Sequence, residues 1–313
     1  MTSQVGAVPT AIPGTRVITR RRPRSQMPIR RQALLQILCL LITLTVLFPI
    51  VWIVSISLDP RNIARPDGLN LIPPGASLDA FAQVLRQPTQ NPVSFPQLAF
   101  NSLVIAAIVS LASVSIGVLA AYAFSRLKFR GREFLMIAVL AVLMLPAVAT
   151  IAPLFVSLNK IQVGTFNLRA SLFGVALAVT SGQLPFAIWN MKGYLDTIPR
   201  DLEEAASVDG ANRFQIFWRI ILPLSKPVIA VTAFFGFIAG WTEFYFSWMF
   251  LTGDPKQWTL AMTLNGMVGQ YAGNTPWSQF AAYAILVALP VSVVYLYLQK
   301  YIISGLTIGG VKG

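Results

Sequence analysis

The sequence predicts an all-α integral membrane protein of six transmembrane helices, with N- and C-termini both cytoplasmic. Three observations carry this prediction. Of the 313 residues, 55% are apolar and only 11% are charged, whereas a soluble domain carries about 25% charged residues. Six predominantly apolar stretches reach the roughly 20 residues needed to cross a hydrocarbon core. The basic residues are shared unevenly among the segments between them, and that asymmetry orients a chain in a membrane.

The first span is expected at about 33–57, within an uncharged run from Gln32 to Leu58. That run is too long for a signal-peptide core and has no small-x-small cleavage site. A retained helix is therefore expected, although Arg20-Arg21-Arg22 loosely resembles a twin-arginine signal. The remaining spans fall near 99–125, 134–157, 170–191, 227–250 and 280–300. The third should bend at Pro146 and Pro153, and the fourth contains Gly182 and Pro185. Lipid offers no partner for backbone groups, so each stretch should be helical.

Seven of the 24 basic residues (Arg16, Arg20, Arg21, Arg22, Arg24, Arg30 and Arg31) precede the first span, and RLKFRGR at 126–132 holds four more. Residues 59–98, 158–169 and 251–279 carry three, two and one. The richer segments belong in the cytoplasm and the poorer ones outside. Residues 1–31 then form a basic, disordered tail, and 32–313 form the membrane domain. A net charge of +13 concentrated in this way marks an anchor in lipid rather than a nucleic-acid surface. There is no histidine, and Cys39 is the single cysteine. That excludes structural zinc, disulfides and catalysis by a histidine base.

Residues 193–226 interrupt this pattern. Four of the chain's eleven acidic residues lie between Asp201 and Asp209, and from Lys192 to Lys226 five acids face five bases. A segment that only fixed orientation would be basic throughout; this one suits a protein surface. Thr197 is the expected N-cap of a helix with Pro199 near its first turn. The acids at 201, 203 and 204 suit the positive end of its dipole. Leu202, Ala205 and Ala206 share one face, and Gly210 can take the left-handed conformation that stops a helix. A second helix should then present Phe214, Phe217 and Trp218 together until Pro223 closes it.

Glu204-Ala205-Ala206, three residues, Gly210, nine residues and Ile220-x-Leu222-Pro223 resemble the EAA loop of ABC-importer permeases. The resemblance implies the type I ABC-importer permease fold and a coupling helix that seats in a cleft of an ATPase subunit. The coupling residues it implies are Glu203, Glu204, Ala205, Ala206, Asp209, Gly210, Phe214, Leu222 and Pro223. AAYAFSRLKFRGR, MLP, FIAGWTEF and the ending GLTIGGVKG resemble the carbohydrate branch. Within it they are nearest to the smaller membrane subunits of maltose/maltodextrin importers, with trehalose and related sugars open. The resemblance covers roughly 33–313. It implies a second membrane permease subunit, two ATPase subunits and an extracytoplasmic sugar-binding protein as partners, in a bacterial or archaeal cytoplasmic membrane. It also implies that the tail 305–313 inserts toward the ATPase, although by itself that segment reads as an ordinary terminus.

The chain contains no Gly-Lys dipeptide, so it cannot supply the G-x-x-x-x-G-K-[ST] phosphate loop. No cofactor or metal is expected on this chain, no residue is expected to be catalytic, and ATP with Mg²⁺ would be used by the partner ATPase. Glu243 is the one ionisable residue well inside a predicted span, which marks it as functional or paired. Gly236, Gly240, Glu243 and Ser247 fall on one helical stripe. Trp241 or Tyr245 would stack on a sugar ring, with Gln183 and Asn190 as further polar candidates. The alternative is a packing seam at Gly236-x-x-x-Gly240, with Glu243 bonded to a neighbouring helix. Trp258, Tyr271 and Trp277 in the outer loop 251–279 read as an interfacial belt or as a surface for the binding protein. A self-contained secondary transporter or lipid-modifying enzyme is the competing class. Neither an internal repeat nor a catalytic constellation supports it.

Overall fold

A computed structural model describes residues 28–63, 71–268 and 275–309 of the chain, the last eight of them by backbone alone. The expectations for the basic tail up to residue 27, for Tyr271 and for residues 310–313 lie outside these. The chain divides into two units, residues 1–49 and 50–313.

In the first unit, helix α1 (Ile29–Ser57) begins. Its mean hydropathy is 2.8. Thr43 and Thr45 donate their hydroxyls back to the carbonyls of Cys39 and Leu41, each at 2.8 Å. No polar hydrogen at these positions is then left to face lipid unpaired.

In the second unit, α1 ends, and α2 (Asp79–Arg86), α3 (Phe95–Arg126), α4 (Arg132–Leu143) and α5 (Ala147–Asn159) follow. A small hairpin pairs β1 (Gln162–Val163) with β2 (Phe166–Asn167), turning at Gly164 with φ +60°; the sequence analysis did not foresee it. Next come α6 (Leu172–Leu195), α7 (Asp201–Val208), α8 (Arg213–Ile216), a π turn at Phe217–Ile221 and α9 (Leu222–Leu224). The chain closes with α10 (Lys226–Trp241), α11 (Tyr245–Leu251), a 3₁₀ turn, α12 (Leu260–Met267) and α13 (Trp277–Gly309).

Four helices are long and apolar enough to cross a membrane unbroken: residues 29–57, 95–126, 172–195 and 277–301. Two bent pairs bring the number to six. The expected third span is the first pair, α4 and α5, meeting at 105°. Pro146 stands at the break with extended backbone; it has no N–H to give and pushes the residue before it out of helical geometry. Pro153 rides inside α5 and Pro185 inside α6, and neither ends its helix. The second pair joins 213–224 to 226–241 at 73°. The expected continuous fifth span, 227–250, is corrected. Its helix stops at Trp241 and restarts at Tyr245.

Helix α3 is the centre of the second unit, packed along α6 on one side and α10 on the other. A Cβ on Gly240 would lie 2.6 Å from Ala106 Cα, and one on Gly236 would lie 2.9 Å from Ser110 Cα. The Gly236-x-x-x-Gly240 stripe is therefore the seam that lets two backbones touch. Ser110 Oγ donates to the Ala233 carbonyl at 2.9 Å across that seam. On the other side, a Cβ on Gly117 would meet Ala187 Cβ at 3.1 Å. Three layers of helix are thus held at backbone distance around α3. At its N-terminal end, Asn101 donates to the carbonyls of Lys256 and Trp258, both at 2.8 Å. Ser102 accepts from Leu260 N at 2.9 Å, and Tyr283 donates to the Leu260 carbonyl at 2.9 Å.

Candidate functional site: the 193–226 loop and the broken fifth span

Helix α6 runs four residues past its expected end, and this changes how the loop begins. Thr197 does not cap α7. Its hydroxyl donates to the Tyr194 carbonyl at 2.7 Å and closes α6 instead. The residue before α7 is Arg200, which makes no side-chain cap. Asp201, Glu203 and Glu204 stand in the first turn of α7, where the unpaired N–H groups and the dipole favour carboxylates.

Gly210 has φ +84°. Ala211 N donates to Ala206 O at 2.9 Å and Gly210 N donates to Ser207 O at 3.1 Å, the paired bonds of a Schellman stop. Two residues later Asn212 Oδ1 accepts from Gln215 N while Gln215 Oε1 accepts from Asn212 N, both at 2.9 Å. This capping box starts α8 as firmly as the glycine ends α7. Pro223 does not close the second helix; it lies inside α9, and the turn comes at buried Ser225.

The expected single face of Phe214, Phe217 and Trp218 is also corrected. A π turn inserts extra backbone into the repeat, and Phe217 faces inward against Tyr122 with ring centroids 5.1 Å apart. Phe214 and Trp218 stay outside, their rings 5.9 Å apart. Glu204, Ala205, Asp209, Gly210 and Pro223 are exposed, Ala206 and Leu222 are half-buried, and Val208 is 88% exposed. Apolar side chains standing out of a polar loop are the usual mark of a protein partner.

Glu203 alone among the acids of α7 turns inward, and the Arg126 guanidinium at the end of α3 meets its carboxylate. The two side chains are 7% and 15% exposed. Arg126 also donates to the Ile198 carbonyl at 2.9 Å and to Ser125 Oγ at 3.0 Å, while Arg200 donates to the Ser125 carbonyl at 3.0 Å. Ser125 Oγ in turn donates to Asp196 at 2.6 Å, and Lys192 reaches the same carboxylate at 2.6 Å. Burial raises the Asp196 pKa, but the hydrogen bonds from Lys192 and Ser125 outweigh it and hold the group below its ordinary value. Sequence reasoning counted Arg126 only as an orientation charge. Its partner lies 77 residues away, and no local pattern reveals such a pair.

At the break in the fifth span, Glu243 leaves the stripe that sequence spacing assigned to it. Its carboxylate accepts from Phe246 N at 2.6 Å, capping the restart of the helix rather than bonding a neighbouring one. Trp241 is 3% exposed, stacked on Phe237 at 5.7 Å and donating to the Val287 carbonyl at 3.1 Å. Ser247 is fully buried, its hydroxyl without a partner among the described residues. Tyr245 is exposed, while Glu243 and Gln183 are half-buried. Asn190 donates to Thr232 at 3.2 Å and ties α6 to α10.

A short helix, a glycine stop and a second helix, pinned by buried charge to the ends of two spans, form a membrane connector. Residues 113–307 match the family described as binding-protein-dependent transport system inner membrane component. The chain belongs to this family. Its relatives include the trehalose/maltose transport system permease protein MalG of Thermococcus litoralis, 36% identical over 287 residues that cover 91% of this chain and 98% of the relative. The maltose/maltodextrin transport system permease protein MalG of Escherichia coli K12 is 33% identical over 93% of this chain and 99% of its own length. The crystal structure of a bacterial ABC transporter that imports the acidic polysaccharide alginate superposes with a TM-score of 0.69 at 22% identity, over 89% of this chain and 99% of that one. The fold is that of the type I ABC-importer permeases, and the chain is a multi-pass membrane component of such a system.

Proposed function

We propose that this chain is one permease subunit of an ATP-driven importer of neutral glucosides, maltose and maltodextrins first, with trehalose a second substrate. The trehalose reading comes from the printed name of the Thermococcus litoralis relative. In the proposed complex the chain pairs with a second permease, two ATPase subunits and an extracytoplasmic sugar-binding protein in the cytoplasmic membrane of a bacterium or archaeon. ATP and Mg²⁺ belong to the ATPase subunits, and this chain holds neither. Residues 193–226 are the coupling segment within the membrane domain 32–313.

The observation that carries the coupling reading is the division of α7 into two faces. Glu204, Ala205, Asp209 and Gly210 are exposed for a partner, while Glu203 is tied to Arg126 at the end of α3. A load placed on the outer face of α7 passes through that buried pair into a span packed along both α6 and α10. Glu243, Tyr245 and Gln183 are the polar groups left accessible for the sugar path, with Trp241 and Ser247 buried behind them. The test is sugar-stimulated ATPase activity of the co-expressed complex in liposomes, comparing wild type with Gly210→Asp. Stimulation should be lost while the subunits still insert; unchanged stimulation would remove the loop from the transmission path.

A further inference from the structure

On the opposite end of the second unit, a cleft of about 800 Å³ opens between the loop that follows α2 and the segment around α12. Its size falls within the roughly 300–1,000 Å³ of ordinary small-molecule sites. None of its ten lining residues is ionisable. The wall instead offers the amides of Gln87, Gln90, Asn91 and Gln279, the hydroxyl of Thr89 and the indole of Trp258. Amides that donate and accept, set beside a flat aromatic ring, are the chemistry that recognises a neutral polyhydroxy ring.

The cleft is built rather than incidental. Asn101 holds the carbonyls of Lys256 and Trp258, Gln279 donates to Gln83, and Gln87 Nε2 donates to the Gln90 carbonyl at 3.3 Å. The side-chain amides of Gln90 and Asn91 have no hydrogen-bond partner among the described residues, and Trp258 Nε1 is buried without an acceptor. A Cβ placed on Gly266, at the cleft wall, would meet nothing within 4 Å. Amide groups held on a fixed frame with unmet hydrogen-bonding capacity describe a site that awaits a polar occupant.

We propose that this cleft is an extracytoplasmic subsite for a neutral oligosaccharide, met by the sugar before it enters the spans. The assignment rests on the sugar-importer reading and deepens it. Both lining segments belong to the base-poor loops that charge asymmetry places outside. The absence of lining bases selects against uronic acids, in contrast to the acidic polysaccharide imported by the alginate transporter of the same fold. The indole stacks on a pyranose face, and Gln90 and Asn91 take its hydroxyls.

The test is equilibrium binding of maltotetraose to the full complex in nanodiscs without its binding protein, with an oligoguluronate tetrasaccharide as the acidic comparison. Maltotetraose should bind and oligoguluronate should not. The exposed-loop double variant Gln90→Ala/Asn91→Ala should weaken binding about tenfold, the loss of two hydrogen bonds. Trp258→Phe keeps the ring and should weaken it less. No maltotetraose binding, equal binding of the acidic sugar, or an unchanged double variant would each overturn the subsite. A double variant that binds no less sugar but loses stimulation by the binding protein would mark the cleft as a protein contact, which also overturns it. Sugar-stimulated ATPase in the presence of the binding protein separates the two readings. If it persists without cleft binding, only the subsite falls; if it is absent in wild type, the importer reading falls.

Discussion

The Arg126 guanidinium and the Glu203 carboxylate meet across the gap between the end of a membrane span and the first helix of the cytoplasmic loop, with both side chains largely shielded from water. Removing one member of a buried pair leaves the other charge uncompensated and costs about 3 kcal/mol or more. Arg126→Ala and Glu203→Gln should each lower the melting temperature of the purified complex and abolish sugar-stimulated ATPase. The charge swap Arg126→Glu/Glu203→Arg should restore part of both. A swap no better than either single variant would mean that the pair does not act as a unit.

Gly210 separates backbone strain from crowding. Its φ is +84°, yet a Cβ there would touch nothing within 4 Å. Ala at this position should cost about 1–2 kcal/mol through the left-handed conformation alone. Asn, which tolerates that conformation better, should be milder. Stimulated ATPase should therefore rank Gly, Asn, Ala in falling order. Ala equal to wild type would show that the loop does not depend on this stop.

Gly240 is the opposite case. A side chain there would run into the backbone of Ala106, which has no flexible end to move aside. Gly240→Val should cost at least about 1–3 kcal/mol as overpacking and show as loss of monodisperse protein on fluorescence-detected gel filtration. Gly182→Ala, with open space around its Cβ, is the matched comparison and should leave the profile unchanged.

Acid should loosen the extracytoplasmic end. The hydrogen bond from Arg61 holds the Asp59 carboxyl below its ordinary value, with burial pulling weakly the other way. Such a group contributes its stability above the ordinary carboxylate pKa and loses it as pH falls through the depressed folded value. The melting temperature should therefore be flat from pH 8 to about 5 and drop only below about 4. Asp59→Asn should melt lower at pH 7 and lose part of that acid step. An identical step in the variant would assign it to other carboxylates.

The spans were legible because length and apolarity are one-dimensional properties. Gly210 was legible because a left-handed stop favours glycine wherever it falls. The break at Glu243 was not, since a carboxylate that caps its own helix and one that awaits a ligand look the same in sequence. Thr197 misled for a related reason: a hydroxyl residue before a Pro and a run of acids fits the start of one helix as well as the end of another. Phe217 was assigned to the wrong face because a π turn breaks the 3.6-residue period on which the assignment depended. The β1–β2 hairpin, at two residues a strand, is below the length at which alternation is readable.

Only Gly210 and Ala211 separate the Schellman stop of α7 from the capping box of α8. Two capped rods joined by so short a joint have almost no slack. Helix α7 is eight residues long, about 12 Å at the α-helical rise, and works as a crank arm rather than a tether. Pressure on its exposed face is therefore delivered as a change of angle, and a longer, looser joint would let the same pressure dissipate before it reached the spans.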